Sequence, residues 1–542
     1  MKGQKISYSK SIMIFKEDFM NNEAKQANRE ILKQTYGLFD HQIAGIEFLV
    51  SRKKAILADE MGLGKTRTAI IAAKEEKAKT IIVCPASLKI NWKREIQSVY
   101  PDDVVDVVDS KSNEISYRSD WVIINYDIVE KWIPQIETLI EGGHLDTIIL
   151  DEAHYIKGKS QRATAIVGGF ISPKGGTRHK LKGLANQMER VYLLTGTPLL
   201  NRPVELFNLL RAIKHPLSQN RTEFVKKYCG AFFLVRVQDL ATGKAFMVEQ
   251  KRFYKYYGDR KKYRVLFRFL DESGATNLPE LWATVRDSML RRKKKDVIDL
   301  PEKIISVMDC ELSDEWKKIY DHAWDSYIDF LRANQIDGDQ SKLDNVILAR
   351  HLVEITKLKQ VCSQSKIPRI IQDVKNAVEQ GQKVIIFSQY TDTIDRIMET
   401  LKTEEIKAVS LSGSDDMNER QISVDAFQNN DDVKAIVLNI KAGGVGINLT
   451  AGSIVMFADM DWSPEIHRQA EDRAHRIGQE GTVNVYYYVQ GGTVEEDILA
   501  ILAEKKGIAD AVLEGQNGDL KVESAQERFL SRMAGKLPTG GV

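Results

Sequence analysis

A glycine-containing loop between an apolar strand and a helix has the residue types that bind the phosphates of a nucleotide. The sequence AILADEMGLGKTRTAI at 55–70 has this arrangement. Loop N–H groups and the helix N-terminus hold phosphates, Lys65 reaches the β- and γ-oxygens, and Thr66 ligates Mg²⁺. Asp59 departs from the strict pattern GxxxxGK[ST], which requires glycine there. The candidate nucleotide-binding residues are Met61, Gly62, Leu63, Gly64, Lys65 and Thr66.

A second stretch carries the acidic residues that hydrolysis of a nucleotide requires. The sequence DTIILDEAHYIKG at 146–158 places Asp151 and Glu152 at the end of an apolar strand. Asp151 can hold the Mg²⁺ that bridges the phosphates, and Glu152 can orient and deprotonate the attacking water. The alternative is a helix-capping acidic pair with His154 on the surface. Together with the phosphate loop, the pair favours phosphoryl-transfer chemistry.

Two arginines near the C-terminal end of the chain could stabilise the charge of a transferring phosphate. Arg473 and Arg476, in IHRQAEDRAHRIGQ at 466–479, are three residues apart and would share one face of a helix. The alternative is a solvated basic helix that pairs with Glu471 and Asp472. The presence of the phosphate loop and the acidic pair in the same chain favours the catalytic interpretation.

Short β-branched runs alternate with helical patterns in two blocks, which predicts parallel sheets covered by helices. The first block runs from about residue 36 to 230, with candidate strands Ala55–Ala58, Thr80–Cys84, Trp121–Asn125, Thr147–Leu150 and Val191–Thr195. The second block begins near residue 300, with candidate strands Lys383–Ser388, Ala408–Leu411, Ala435–Asn439, Ile454–Phe457 and Val483–Tyr488. The sequence therefore predicts an α/β fold with two lobes.

The 542 residues divide into four predicted regions. They are a first lobe at 1–230, a helical or irregular insertion at 231–300, a second lobe at 301–500, and a C-terminal helix and tail at 501–542. Within the insertion, KRFYKYYGDRKKYR at 251–264 carries seven basic and five aromatic residues. Its tyrosines could pack a small core, or they could stack on unpaired bases while the basic residues contact DNA.

Composition excludes several classes of protein. Hydrophobic residues make up 43% of the chain and charged residues 28%, which is typical of a globular protein and not of a disordered or fibrous one. The 78 basic residues are balanced by 76 acidic ones, so binding of a polyanion must depend on local basic patches. We expect no structural metal, no membrane span and no secretion signal, and the four separated cysteines favour a reducing, cytoplasmic compartment.

With these motifs in order, the chain resembles the SWI/SNF-type family of superfamily-two, helicase-like DNA-dependent ATPases over about residues 36–500. The resemblance rests on LFDHQIAGIEFL, LADEMGLGKT, VCPASLKINW, DEAH, LLTGTPLLN, MLRRKKKDVIDLPEK, IIFSQY, KAGGVGINLT and DMDWSPEIHRQAEDRAHRIGQ. The family itself has aspartate at the position of Asp59. The resemblance implies two RecA-like lobes, each with a parallel sheet, and ATP and Mg²⁺ as cofactors.

The resemblance also implies roles for individual residues. Gln42 would recognise adenine, and Gln469, Arg473 and Arg476 would close on the γ-phosphate from the second lobe. Thr195, Gly196 and Thr197 occupy the motif that couples the ATP site to DNA. Residues in motifs that line or support the DNA groove are Pro85, Ser87, Trp92, Ser388, Gly443, Gly444 and Trp462.

The function expected from this resemblance is ATP-driven movement along DNA. The partner would be double-stranded or forked DNA and the motor would be monomeric. The stretch at 274–303 is similar to the annealing-helicase, HARP-like branch, and a compact motor suits a bacterial or phage-infected cell. The basic run Arg291 to Lys295 could be a solvated surface or could contact phosphate or the other lobe. Two other functions stay open, an RNA-directed helicase and a nucleotide-gated protein-binding switch.

Overall fold

The structure of the protein, a computed structural model, falls into two compact units. The first comprises Met1–Leu200, Glu205–Arg221 and Trp282–Asp299, and the second comprises Asn201–Val204, Thr222–Leu281 and Leu300–Val542. The described residues are 22–158, 160–171, 179–196, 198, 202–243, 245–257, 262–272, 274–333, 345–412, 415, 417–443, 447–513, 520–521, 529 and 533.

The strands are named in chain order. They are β1 (Lys54–Leu57), β2 (Thr80–Cys84), β3 (Val105–Val107), β4 (Trp121–Asn125), β5 (Thr147–Asp151), β6 (Gly169–Ile171), β7 (His179–Leu181), β8 (Arg190–Leu194), β9 (Phe232–Asp239), β10 (Ala245–Glu249), β11 (Tyr263–Asp271), β12 (Gly274–Ala275), β13 (Met289–Leu290), β14 (Lys303–Cys310), β15 (Val384–Ser388), β16 (Ala408–Leu411), β17 (Ala435–Asn439), β18 (Ile454–Phe457), β19 (Val483–Gln490) and β20 (Leu520–Lys521).

The helices are also named in chain order. They are α1 (Asn22–Tyr36), α2 (Asp40–Arg52), α3 (Lys65–Glu75), α4 (Lys89–Val99), α5 (Val129–Glu141), α6 (Gln161–Val167), α7 (Leu184–Gln187), α8 (Leu206–Ala212), α9 (Arg221–Tyr228), α10 (Gln250–Tyr256), α11 (Leu278–Val285), α12 (Lys294–Val297), α13 (Asp314–Ala333), α14 (Asn345–Ser365), α15 (Ile367–Glu379), α16 (Thr391–Thr403), α17 (Met417–Asn429), α18 (Ile440–Gly443), α19 (Pro464–Glu471) and α20 (Val494–Leu513).

The first unit is built on a seven-stranded parallel sheet in the order β13-β1-β8-β5-β2-β4-β3. Strands β2, β4, β5 and β8 are buried along their whole length. Helices cover both faces of such sheets, so the central strands are continuous apolar runs. The carboxyl ends of parallel strands lie at one edge of a sheet, and the loops that follow β1, β2, β5 and β8 therefore share that edge.

The second lobe has a six-stranded parallel sheet in the order β14-β19-β18-β15-β17-β16. Two hydrophobic clusters pack on it. One contains Phe387, Phe457 and Leu438, and the other contains Ile386, Val437 and Met456. Neighbouring residues on one strand, such as Ile386 and Phe387, belong to different clusters, as expected for a sheet with a core on each face. The predicted α/β fold with two RecA-like lobes is confirmed.

The insertion differs from its prediction as a helical or irregular segment. Strands β10, β9 and β11 form a three-stranded antiparallel sheet, and α10 follows β10. Phe253 of α10 packs with Val235 and Val237, and the half-buried Tyr257 and Tyr263 contact this cluster. These aromatic residues of 251–264 therefore contribute to packing, as one of the two interpretations predicts. Residues 258–261, including Arg260 and Lys261, lie outside the described residues.

The end of the insertion also differs from the predicted boundary at 300. Residues Trp282–Asp299 belong to the first unit, and β13 pairs in parallel with β1, Ile56 opposite Met289 and Leu57 opposite Leu290. The chain thus returns to the first sheet after the insertion and adds an edge strand. A two-residue edge strand gives too short a pattern to be recognised in a sequence.

Neither a membrane span nor a metal-ligand cluster was found in the part of the chain that the structure describes. No helix there has the length and apolar character to cross a bilayer. No group of three or more His, Cys, Asp or Glu side chains there is arranged to hold a metal ion.

Candidate active site

The phosphate loop joins β1 to α3 and turns sharply at two glycines. Gly62 and Gly64 have φ values of 81° and 78°, a left-handed conformation that favours glycine. A Cβ atom on Gly64 would lie 2.1 Å from Nε2 of Gln42, so this position has no room for a side chain. Lys65 is the first residue of α3, and its Nζ donates to the carbonyls of Asp59 (2.7 Å) and Glu60 (3.1 Å). The loop thus places Lys65 at a helix N-terminus, next to Thr66.

Residues predicted to recognise the base or to couple the ATP site to DNA contact this loop. Gln42 is buried at the start of α2, where its Oε1 accepts from the Phe39 N–H (3.0 Å) and its Nε2 donates to Leu63 O (3.4 Å). A Cβ atom on Gly196 would lie 2.7 Å from Cγ of Met61. Thr195 is fully buried and Thr197 lies outside the described residues. Adenine recognition by Gln42 stays a prediction.

Asp59, which departs from the strict loop pattern, forms an ion pair with Arg292. Arg292 Nε donates to Asp59 Oδ1 (2.9 Å), its Nη2 donates to Oδ2, and its Nη1 donates to the His41 carbonyl. The segment after β13 adds backbone bonds, from Ala58 N–H to Leu290 O and from Glu60 N–H to Arg292 O. A bidentate pair with low exposure fixes both partners in orientation. The basic run at 291–295 is therefore not a solvated surface at Arg292, because this guanidinium contacts the loop.

The acidic pair lies at the carboxyl end of β5, and Trp92 holds the first carboxylate. Asp151 Oδ2 accepts from the Trp92 indole N–H (2.8 Å), and Oδ1 accepts from the Glu152 N–H (2.9 Å). Burial raises the pKa of Asp151 to about 6, the charge of Glu152 adds to the rise, and the Trp92 bond and the charge of Lys65 oppose it. The loop follows β1 and the acidic pair ends β5 in the same parallel sheet, so both lie at one edge of that sheet.

Glu152 has a strained backbone. Its φ of 49° and ψ of 52° are left-handed values that few residues other than glycine adopt. Such strain costs about 1–3 kcal/mol and is concentrated at functional sites. The side chain is mostly buried, and its Oε2 lies 3.2 Å from Nδ1 of His154. The surface position considered for His154 is therefore wrong, because its side chain is only 16% exposed.

The arginine motif of the second lobe is not helical where it carries its two arginines. Helix α19 includes Gln469 and ends at Glu471, and Arg473 and Arg476 follow in turns. The carbonyl of Arg473 accepts from the Leu449 N–H (3.0 Å), a bond to another loop that replaces helical bonding. Arg473 is 7% exposed. The prediction that both arginines share one face of a helix is wrong, whereas their action on a γ-phosphate stays a prediction.

Residues at the start of the second lobe anchor the same motif. Glu471 accepts from Lys303 Nζ (2.7 Å) and from the Tyr487 hydroxyl (2.7 Å), and His475 Nε2 lies 2.8 Å from Pro301 O. Glu471 therefore pairs with Lys303, a contact that the sequence analysis missed. The chain from Arg292 to Pro301 thus has one end bonded to the phosphate loop of the first unit and the other to the arginine motif of the second.

Several residues predicted to bind DNA are buried. Trp92 and Ser388 are both 0% exposed, and Ser388 Oγ donates to Asp459 Oδ2 (2.5 Å). Both side chains thus bond to neighbouring loops, which fits residues that support a DNA groove, and their role in DNA binding stays a prediction. Pro85 is also buried, whereas Ser87 and Trp462 are half-buried. Gly443 ends α18, and Gly444 lies outside the described residues.

Sequence comparison decides the family. The SNF2-related domain matches residues 41–367, more than half of the chain, and the helicase conserved C-terminal domain matches residues 365–478. The chain belongs to the SNF2-related family. The matched regions contain the phosphate loop, the acidic pair and both arginines.

Known relatives come from animals and bacteria. The chain is 29% identical to a Caenorhabditis elegans homolog of "SWI/SNF-related matrix-associated actin-dependent regulator of chromatin subfamily A-like protein 1", over 88% of this chain and 62% of that protein. It is 26% identical to human "DNA annealing helicase and endonuclease ZRANB3", over 90% of this chain and 42% of that protein. An uncharacterized ATP-dependent helicase of Mycoplasma genitalium is 28% identical, over 91% and 42%. These relatives do not restrict the source of the chain to a bacterium or phage.

The SNF2-related chain therefore spans 42% to 62% of the length of these three relatives. Among solved structures, the Sulfolobus solfataricus SWI2/SNF2 ATPase core in complex with dsDNA is 25% identical, covering 92% of this chain and 96% of that one, with a TM-score of 0.36.

Proposed function

We propose that this SNF2-related protein is an ATP-dependent double-stranded DNA translocase that acts as a monomer and remodels DNA structures or protein–DNA complexes. The observation that carries the proposal is the arrangement at one edge of the first sheet. There the phosphate loop with Lys65 follows β1, and Asp151 and Glu152 lie at the end of β5, with β8 between these two parallel strands. A cationic loop beside two carboxylates at strand ends is the arrangement that nucleotide hydrolysis requires.

The residues of the site fit ATP and Mg²⁺. Gly62 and Gly64 give the loop a left-handed backbone without side chains, so its N–H groups can approach a phosphate closely. Each oxygen of Asp151 accepts one described hydrogen bond, and a carboxylate has about four acceptor positions, so both oxygens can also face a cation. Asp151 and the Thr66 hydroxyl are hard oxygen ligands of the kind that Mg²⁺ prefers. Bound Mg²⁺ would neutralise charge on the phosphates.

The protein's own groups would perform the remaining work. Lys65 exchanges its bonds with loop carbonyls for bonds to phosphate oxygens. Glu152 orients a water molecule and accepts its proton, while Arg473 and Arg476 stabilise negative charge on the transferring group. Gln469 assists from α19. ATP thereby favours a closed arrangement of the lobes, and its hydrolysis reverses that preference, which drives movement along the duplex.

DNA is the proposed substrate because relatives with named activities act on it. Human ZRANB3 is described as a DNA annealing helicase and endonuclease. The near balance of 78 basic and 76 acidic residues indicates that phosphate contacts come from local patches. Contacts to the phosphate backbone carry no sequence information, so we expect low sequence specificity and affinity that falls steeply with salt.

A panel of nucleic acids tests this proposal. ATP hydrolysis by the full chain should be stimulated by blunt duplex DNA and by forked DNA, and much less by single strands or RNA of equal length. Stimulation by RNA alone would instead identify an RNA-directed helicase. Hydrolysis indifferent to every nucleic acid but raised by a protein would identify a nucleotide-gated switch. Displacement of a triplex-forming strand from a duplex separates translocation from simple ATP hydrolysis.

Trp92 provides a prediction about the metal site. Trp92→Phe should keep the buried ring but lose the bond to Asp151, and the Mg²⁺ concentration for half-maximal ATP hydrolysis should rise roughly tenfold, since partners of metal ligands typically contribute 10–100-fold. Trp121→Phe is the matched control, because Trp121 is also buried and donates to Asp103 (2.8 Å). An unchanged Mg²⁺ dependence of Trp92→Phe would show that its bond does not position Asp151 for metal.

A further inference from the structure

The three-stranded sheet of the insertion has one face that α10 covers and one that it does not. On the covered face Val235 pairs with Val248, Val237 pairs with Phe246, and Phe253 of α10 packs against them. Side chains of neighbouring residues on a strand point to opposite faces. Arg236 and its cross-strand partners, Met247 on β10 and Phe267 on β11, therefore lie on the other face.

Phenylalanine rings are exposed on this second face. Phe267 is 48% exposed, Phe269 is 40% exposed, and Phe232 of β9 is 41% exposed. The rings of Phe267 and Phe269 lie 6.1 Å apart, tilted by 37°. We call these three residues, with Arg236 and Leu234, the Phe267 face. Single exposed apolar residues are ordinary, but several together on one sheet indicate a binding surface.

Basic residues accompany these rings. The Arg236 guanidinium lies 5.7 Å from the centroid of the Phe267 ring, a cation–π contact, and Arg264 on the same face is opposite Gln238. Residues 231–272 contain ten basic and five acidic residues, although the whole chain has a net charge of only +2. The insertion is thus more basic than the rest of the chain. Its charge favours a polyanionic partner and opposes pairing with a second copy of itself.

We propose that the Phe267 face binds the unpaired bases of single-stranded DNA, such as the free arm of a fork. This deepens the proposed function, on which the choice of DNA rests. Exposed rings on a sheet stack on bases of any sequence, and nearby arginines contact the phosphates. In a duplex the bases already stack on one another and offer only phosphates and groove edges to these rings. A ring surface therefore distinguishes unpaired from paired DNA.

The proposal assigns stacking to rings that the sequence does not single out. Of the tyrosines at 251–264 that would be the expected stacking residues, Tyr257 and Tyr263 pack on the covered face against Phe246, whereas Tyr254 is 64% exposed on α10. The exposed basic residues Lys251, Arg252 and Lys255 belong to α10. The phenylalanine rings proposed to stack on bases therefore lie on the uncovered face of the sheet. The basic residues of α10 lie on the opposite side, where α10 covers the sheet.

Fluorescence anisotropy of the full chain with an oligo(dT) strand, a fork and a blunt duplex tests this inference. Phe267→Ala with Phe269→Ala should weaken binding of the strand about 100-fold, since each stacked base contributes about tenfold or more. Duplex affinity and duplex-stimulated ATP hydrolysis should not change. Phe267→Tyr with Phe269→Tyr should bind the strand as the unmodified protein does, whereas the double leucine variant, which is apolar without a ring, should be as weak as the alanine variant.

Phe170→Ala is the matched control, because Phe170 is 60% exposed on β6 of the first unit, and it should leave all three affinities unchanged. Equal strand affinity of the unmodified protein and the double alanine variant would overturn the inference. So would a leucine variant that binds the strand normally, since apolar contact without stacking would then suffice. Failure of the proposed function has a different signature, namely no stimulation by duplex in the unmodified protein, with strand binding still dependent on the two rings.

Discussion

Glu152→Gln should bind ATP with near-normal affinity and hydrolyse it about 10³-fold more slowly, the range that loss of a general base produces. The amide has the shape of the carboxylate but cannot accept a proton from water at neutral pH. The strained backbone of Glu152 and the neighbouring His154 hold the side chain in place, so the replacement should keep its position. Single-turnover hydrolysis and binding of a fluorescent ATP analogue measure the two effects separately.

Lys65→Ala should behave differently and lose ATP binding itself, because its ammonium group is the cation of the phosphate loop.

Glu189→Gln is the control for Glu152→Gln, because it replaces an acid outside the site. Glu189 immediately precedes β8, at the end opposite the loops of the active site, and pairs with Lys53. Near-normal duplex-stimulated hydrolysis by Glu152→Gln would show that another group activates the water.

The central strands of both sheets could be predicted from the sequence because they are buried on both sides. Thr80–Cys84, Trp121–Asn125 and Ala435–Asn439 were predicted with the bounds that the structure shows. Each is a continuous apolar run that ends at a turn, and in a parallel sheet such a run has few alternatives to a buried strand. The loops that follow these strands carry the motifs. Because the carboxyl ends of parallel strands share one edge of a sheet, the position of the site at that edge could also be predicted from the sequence.

The edge strands β13 and β14 and the insertion gave weaker patterns, although the edge strand β16 was predicted with its observed bounds. Strand β14 has exposed residues such as Ile304 and Val307, and its pattern lacks the continuous burial of a central strand. In the insertion, β11 has an irregularity between Val265 and Phe267 that breaks the alternation of the strand. A bulge of this kind changes which residues face the core, so period-two reasoning fails there.

The contacts that position the active site join residues far apart in the sequence. Trp92 and Asp151 are 59 residues apart, and Arg292 and Asp59 are 233 apart. A motif indicates the residue types that a reaction needs, but a single sequence contains no sign of which distant side chain orients them. The Arg292 pair also accounts for Asp59, because an aspartate in the loop can bond a guanidinium that a glycine could not.

Arg473→Ala and Arg476→Ala should each lower the turnover rate roughly 10³-fold or more while ATP binding to the first unit persists. The guanidinium groups are proposed to act on charge that develops in the transition state, so their loss affects the rate more than binding. Arg473 is suited to this role, because it is 7% exposed and its backbone is bonded to Leu449 and Ala470, which restricts its position.

Arg468→Ala is the matched control, since Arg468 lies on α19 in the same motif and pairs with Glu465. It should keep most of the hydrolysis rate. Arg473→Lys separates charge from geometry: a lysine keeps the charge without the planar fork, and it should recover only a small part of the lost rate. If alanine at both arginine positions changed ATP affinity and turnover equally, the arginines would contribute to ground-state binding. If Arg468→Ala were as slow as the other variants, the loss would reflect the general fold of the motif and not the two guanidinium groups.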